Sequence, residues 1–192
     1  MIPSEVSRLS VVAVTGASQC GNPRLMATEE SVIFTIGHSR HPAAHFLGLL
    51  VRHQIQIVVD VRSRPYSRFS PQFNRKPLEL ALKEQGLEYV FLGQSLGGRP
   101  EGSKLYYGDG SLNYARRAVD QDFLAGIEDL LRLAADKRVA LMCAEEDPEK
   151  CHRWLLVGKA LAARGVSIVH IRGDGKATPA EPCQQTTLFD PE

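Results

Sequence analysis

Ile55-Gln56-Ile57-Val58-Val59-Asp60-Val61, followed at once by Arg62-Ser63-Arg64-Pro65, is the stretch that decides the fold. Its side chains are mostly β-branched, and the apolar run Ile57-Val58-Val59 shows no polar alternation. A sheet with one face in water would place a polar residue at every second position, so this segment reads as a strand buried on both faces. Arg62 and Pro65 end it. Working outward, four further runs have the same character: Val32 to Ile36 ending at Gly37, Tyr89 to Leu92, Val139 to Cys143, and Ser167 to Ile171.

Helical periodicity fills the intervals. Phe46, Leu49, Leu50 and His53 keep 3–4 spacing after Pro42, which suits a first turn. Leu78 to Leu87 reads as a helix closed by Gly86. Val119, Phe123, Ile127, Leu130 and Leu131 form one apolar face, with Asp120 and Asp122 at its start and Arg132, Lys137 and Arg138 at its end, as the helix dipole favours. Asp147-Pro148 is expected to cap a last helix running to Arg164 and stopping at Gly165. Apolar strands alternating with helices predict a single α/β domain over residues 31–172, a mostly parallel sheet of about five strands with helices on both faces. Residues 1–30 carry no sustained period and read as a disordered or loosely ordered leader, with Met26 as an alternative start to Met1. Residues 173–192 read as a flexible tail.

Composition bounds the function. Of 192 residues, 43% are apolar and 23% charged, which excludes wholesale disorder. No run approaches the roughly 20 apolar residues of a membrane helix, so no membrane association is expected. Four cysteines without an export signal point to reduced thiols and a cytoplasmic protein. The net charge of +1 excludes a uniformly cationic nucleic-acid coat and leaves local patches open.

In doubly covered sheets, chemistry sits beyond the carboxyl ends of the strands. His38, Asp60, Arg62, Cys143, Glu145 and His170 fall there. The sharpest group is Cys143-Ala144-Glu145-Glu146-Asp147-Pro148-Glu149-Lys150-Cys151-His152-Arg153. A thiol near a helix N-terminus and cations has a lowered pKa and serves as a nucleophile. Cys143 is the expected nucleophile or acceptor thiol and Glu145 the general acid/base. Asp60 and His38 would orient the substrate, while Cys151, His152 and Arg153 would tune charge at the helix start. The bland alternative is that the cysteines are buried small hydrophobes. Zinc ligation by Cys143, Cys151 and His152, with His38 or His170 as a fourth ligand, is disfavoured. No C-x-x-C pair is present, and adjacent Cys and His at a helix start rarely serve one ion. No metal or cofactor is therefore expected.

Residues 62–76 carry five basic residues and no acid, interleaved with Tyr66, Phe69 and Phe73. That pattern suits phosphate contacts and base stacking by Arg62, Arg64, Tyr66, Arg68, Phe73, Arg75 and Lys76, with Arg153 nearby. The alternative is a solvated loop in which Phe69 and Phe73 anchor to the core and Arg62 pairs with Asp60 or with an acid of the 145–149 loop. At the C-terminus, Gln185-Thr186-Thr187-Leu188-Phe189 resembles the Q-x-x-L-F peptide by which bacterial replication and repair proteins dock on the sliding clamp. Leu188 and Phe189 would fill an apolar pocket and Gln185 would fix register, the alternative being that Leu188 and Phe189 fold back onto the domain.

Two resemblances add to this reading. Asp60-Val61-Arg62 and Cys143 after separate strands are weakly similar to rhodanese-type sulfurtransferases. The four acids between Cys143 and Arg153 speak against the anion-cradling loop of cysteine phosphatases. More extensively, Thr35-Ile36-Gly37-His38-Ser39, Asp60-Val61-Arg62 with Pro65 and Ser67, Leu96-Gly97-Gly98, Met142-Cys143-Ala144-Glu145, Cys151-His152-Arg153 and His170-Ile171 resemble the family known as domain of unknown function 488. That resemblance spans about residues 32 to 172 and implies an α/β fold with a cysteine–histidine active site. The expected function is a DNA-associated repair- or processing-type enzyme acting on single-stranded DNA or a flipped nucleotide and tethered to the clamp. The alternatives are a rhodanese-like thiol enzyme acting on a small molecule and a non-enzymatic DNA-binding adaptor.

Overall fold

A computed structural model describes residues 31–181. The leader, with Cys20 and Met26, and the clamp-binding-like peptide, with Cys183, Gln185, Leu188 and Phe189, lie outside the described residues. Six strands form one sheet: β1 (Val32–Gly37), β2 (Ile57–Asp60), β3 (Glu88–Phe91), β4 (Val139–Cys143), β5 (Ser167–Ile171) and β6 (Ala177–Pro179), in the order β3-β2-β4-β1-β5-β6. All neighbours are parallel except β5 and β6.

The apolar runs divide with period 2 between two cores. Ile33, Ile57, Val59, Val139 and Leu141 face Phe123, Ile127 and Leu130 of α5 (Gln121–Asp136), with Leu156, Val157 and Leu161 of the last helical segment. Phe34, Ile36, Val58, Ala140 and Met142 face Phe46, Leu49 and Leu50 of α1 (Ala43–Arg52) and Leu78 and Leu82 of α2 (Arg75–Glu84). The connections β1→β2 and β2→β3 thus cover one face, and β3→β4 and β4→β5 the other, which is a doubly wound α/β domain. Two short helices, α3 (Gly93–Leu96) and α4 (Tyr114–Ala118), lie between β3 and α5.

The structure departs from the sequence expectation in three places. The sheet gains β6, an antiparallel edge strand in the segment read as tail. Its turn is built by Asp174, whose side chain accepts from the Lys176 amide at 2.9 Å, and by Gly175 at φ 85°. An edge tolerates Pro179, since only one side of the strand pairs. Helix α2 begins at Arg75, so Arg75 and Lys76 lie on a helical first turn rather than in a loop. No continuous helix runs from Pro148. A 3-10 turn (Pro148–Lys150) stops at Cys151, whose φ of −128° and ψ of 136° are extended, and a π-helical turn (Arg153–Gly158) then leads into α6 (Lys159–Ala162). The Asp147 carboxylate caps the short turn by accepting from the Glu149 amide at 3.1 Å, while the Cys151 carbonyl accepts from Trp154 and Leu155 at 3.0 Å.

Candidate active site at the carboxyl ends of the sheet

Register brings the strand ends level, with Gly37 opposite Cys143 and Asp60 opposite Met142. Beyond them opens a cavity of about 360 Å³, lined by Cys143, Cys151 and His152 together with Arg62, Ser63, Arg64, Gly98, Arg99, Tyr114, Glu145 and Lys150. The extended backbone at Cys151 matters here. On a helix, successive side chains diverge by about 100°. The break after Lys150 instead lets Cys151 and His152 both face the Cys143 sulfur. Adjacent Cys and His rarely serve one centre from a helix start, and here the extended residue Cys151 precedes that start.

His152 Nδ1 lies 3.9 Å from the sulfur of Cys143 and 3.9 Å from that of Cys151. Its Nε2–H donates to the Val61 carbonyl at 2.9 Å, which fixes the tautomer and leaves the Nδ1 lone pair facing both thiols. Gly98 makes room for the ring: a Cβ there would sit 2.8 Å from His152 Cγ. The two thiols are inequivalent. A hydrogen bond from the Cys151 thiol holds the Cys143 pKa below the ordinary thiol value against the effect of burial, aided by the Ala144 and Glu145 amides and the Arg153 cation. The same bond, with burial, pushes Cys151 up to about 12. The expectation of a lowered pKa at the helix start therefore transfers to Cys143. Burial and the neighbouring sulfurs of Cys151 and Cys143 also raise the Tyr114 hydroxyl.

Around this centre the expected residues separate into those facing the cavity and those beneath it. Asp60 and His38 are buried and act through Arg62. Asp60 accepts from Arg62 Nε at 2.9 Å, from Arg62 Nη2 at 2.6 Å and from the Tyr89 hydroxyl at 2.9 Å. Arg62 Nη1 donates to His38 Nε2 at 3.1 Å, and the His38 ring stacks on Phe73. Burial, with the Arg62 charge, lowers His38 to about 4, so it stays neutral. This network fixes the loop that supplies the Val61 carbonyl.

Arg153 is fully buried. It bonds the Glu145 and Glu146 carbonyls and, through Nε, the Thr35 hydroxyl, and so pins the loop carrying Glu145. Gly37 permits that packing, because a Cβ there would collide with the Glu145 carbonyl. His170, lowered to about 4 by burial and the Arg153 charge, is bonded to Thr35 and lies below the cavity.

Of the residues expected to touch nucleic acid, Arg64, Tyr66, Arg68, Arg75 and Lys76 are exposed. Phe73 (0% exposed) and Arg153 are enclosed by the core, and Arg62 is held by Asp60. The burial of Phe73 and the pairing of Arg62 with Asp60 are those of the alternative reading, while Phe69 is not anchored and Arg62 also lines the cavity. Phe69, at 75% exposure, takes the place expected of Phe73, beside Tyr66 at 74%, and Arg68 stacks over its ring at 4.7 Å. Arg99, Lys150 and Tyr114 line the cavity without having been singled out. Arg99 had a signal in the Gly97-Gly98 turn before it and Lys150 in its place beside Cys151. Tyr114 arrives from a distant segment and had none.

The fold and site define a doubly wound α/β protein with a buried thiol–imidazole centre under a cationic mouth. The family model described as domain of unknown function DUF488 matches residues 42–160, and the chain belongs to that family. No curated protein and no solved structure matches the chain. Among the described residues, no helix is long and apolar enough to cross a membrane.

Proposed function

We propose that this protein is a DNA-associated enzyme of the repair or processing kind, with its reaction centre in the Cys143 cavity and its C-terminal peptide docked on the sliding clamp. The observation that carries the reading is continuity. Arg64 lines the cavity that holds Cys143, and two and five residues further on the same loop presents Tyr66 and Phe69 to solvent. Large aromatics left exposed among cations are the pattern of a single-strand stacking platform, and such a strand could feed one nucleotide into the cavity. Arg64, Arg99 and Lys150 at the mouth favour a phosphate-bearing ligand. Cys143, approached by the Ala144 and Glu145 amides, is the nucleophile or acceptor thiol. His152 Nδ1 exchanges the proton, and the exposed Glu145 carboxylate serves as acid/base toward the substrate.

Paired thiols in one cavity also favour a second reading, a rhodanese-like enzyme acting on a small molecule. Its mark is a persulfide on Cys143 after incubation with a sulfur donor. The experiment for the main reading compares the full chain with a Cys143→Ser/Cys151→Ser variant on single-stranded and damaged DNA. Processing lost with DNA binding retained supports the enzyme. Salt-dependent binding without thiol-dependent processing identifies a DNA-binding adaptor instead. Fluorescence polarisation of peptide 180–192 against the clamp, with Leu188→Ala/Phe189→Ala as control, tests the tether. Binding lost in the control is the expected result.

A further inference from the structure

The Cys143, Cys151 and His152 donor atoms lie within 4.8 Å of one another, which raises a question separate from nucleophilicity. In a tetrahedral zinc site, bonds of about 2.3 Å to sulfur and about 2.0 Å to nitrogen place donor atoms roughly 3.5–3.8 Å apart. Both sulfurs here are 3.9 Å from His152 Nδ1 and no two donors are more than 4.8 Å apart, so closure by about 1 Å at most would seat an ion.

The outer contacts agree. Ligating histidines donate their other ring N–H to a carboxylate or carbonyl, and His152 Nε2 does so to Val61 at 2.9 Å. Two thiolates and an imidazole select a zinc-class ion over magnesium or calcium. The three donors line the same cavity as Glu145 and Tyr114, so a fourth ligand would come from that cavity.

From this geometry we infer that Cys143, Cys151 and His152 form a binding site for a zinc-class divalent ion with its fourth position open to the cavity. With the ion bound, both sulfurs are ligands and Cys143 is withheld from attack, so the metal-loaded protein is the guarded form of the thiol centre. The inference shares its location with the proposed reaction, but binding does not require that the cavity turn over a substrate.

The test uses the full chain stripped of metal and titrated with cobalt(II) as a spectroscopic stand-in for zinc. The expected result is saturation at one equivalent, with the strong visible bands of four-coordinate cobalt and a thiolate charge-transfer band, both displaced by zinc. Charge-transfer intensity falls in Cys143→Ser and in Cys151→Ser, and the four-coordinate spectrum is lost in His152→Ala. Circular dichroism confirms that each variant is folded. Should a variant unfold, zinc protection of Cys143 and Cys151 from iodoacetamide in the unaltered chain, read by peptide mapping, takes its place. A spectrum identical to cobalt in buffer, or a four-coordinate spectrum that survives both serine substitutions, overturns the site. A cobalt site accompanied by undiminished processing in the Cys143→Ser/Cys151→Ser variant overturns the thiol reaction and leaves the metal site standing. Thiol-dependent processing without a cobalt site does the reverse.

Discussion

His152 owes its role to two groups that are not themselves reactive. The Val61 carbonyl holds Nε2, and Gly98 leaves the space that the ring fills. A methyl at position 98 would meet the imidazole at van der Waals overlap, and overpacking of this kind costs about 1–3 kcal/mol unless the ring moves. Gly98→Ala is therefore expected to keep the fold while swinging His152 off Val61. Nitrogen-15 NMR of the imidazole checks this: the hydrogen-bonded Nε2–H signal should disappear while thermal unfolding stays cooperative. At this scale the sequence showed the reactive types well. Cys143, Cys151, His152 and Glu145 line one cavity, although the sequence left open whether the two cysteines face one another. It hid the split between Phe69 and Phe73, because both belong to one alternation of aromatic and basic residues and only tertiary packing decides which ring goes inside.

The elements that carry the site are the loop after β2 and the broken helix after β4. Within the first, Phe73 packs against His38 and Phe46, while Phe69 stands in solvent. Phe73→Ala should lower stability by about 3–5 kcal/mol, the usual cost of emptying a buried aromatic site. Phe69→Ala should change stability by no more than about 0.5 kcal/mol. It should weaken single-stranded DNA binding by about 1–3 kcal/mol, the contribution of one stacked base. Chemical denaturation and oligonucleotide polarisation read the two effects separately. The strands were legible because each of the first five carries a short, mainly apolar run, and β6 was not, because three residues ending in proline carry no period. The broken helix was illegible for a related reason: 3-10, π and α turns share nearly the same spacing of apolar residues.

Across the whole molecule, buried polar groups tie the neighbouring strands β1 and β5 to the last helical segment and make stability depend on pH. His170, on β5, is bonded to Thr35 on β1, which Arg153 also reaches. Its folded pKa of about 4 lies below the unfolded value of 6.5. The unfolded chain therefore binds a proton first, and stability falls as pH drops from about 6.5 toward 4, by up to about 3 kcal/mol from this group. Above pH 6.5 the contribution is constant. Urea unfolding of His170→Gln should show a shallower loss across that window. His38, lowered for the same reason, adds to the slope in both proteins.

Alkylation of Cys143 reads whether nucleic acid covers the Cys143 cavity. Metal-free full-length protein is treated with iodoacetamide with and without single-stranded DNA, and the Cys143 peptide is followed by mass spectrometry. DNA should slow modification of Cys143, and Tyr66→Ala/Phe69→Ala should restore the rate. An unchanged rate at DNA concentrations that saturate binding, or no binding at all, would contradict the account.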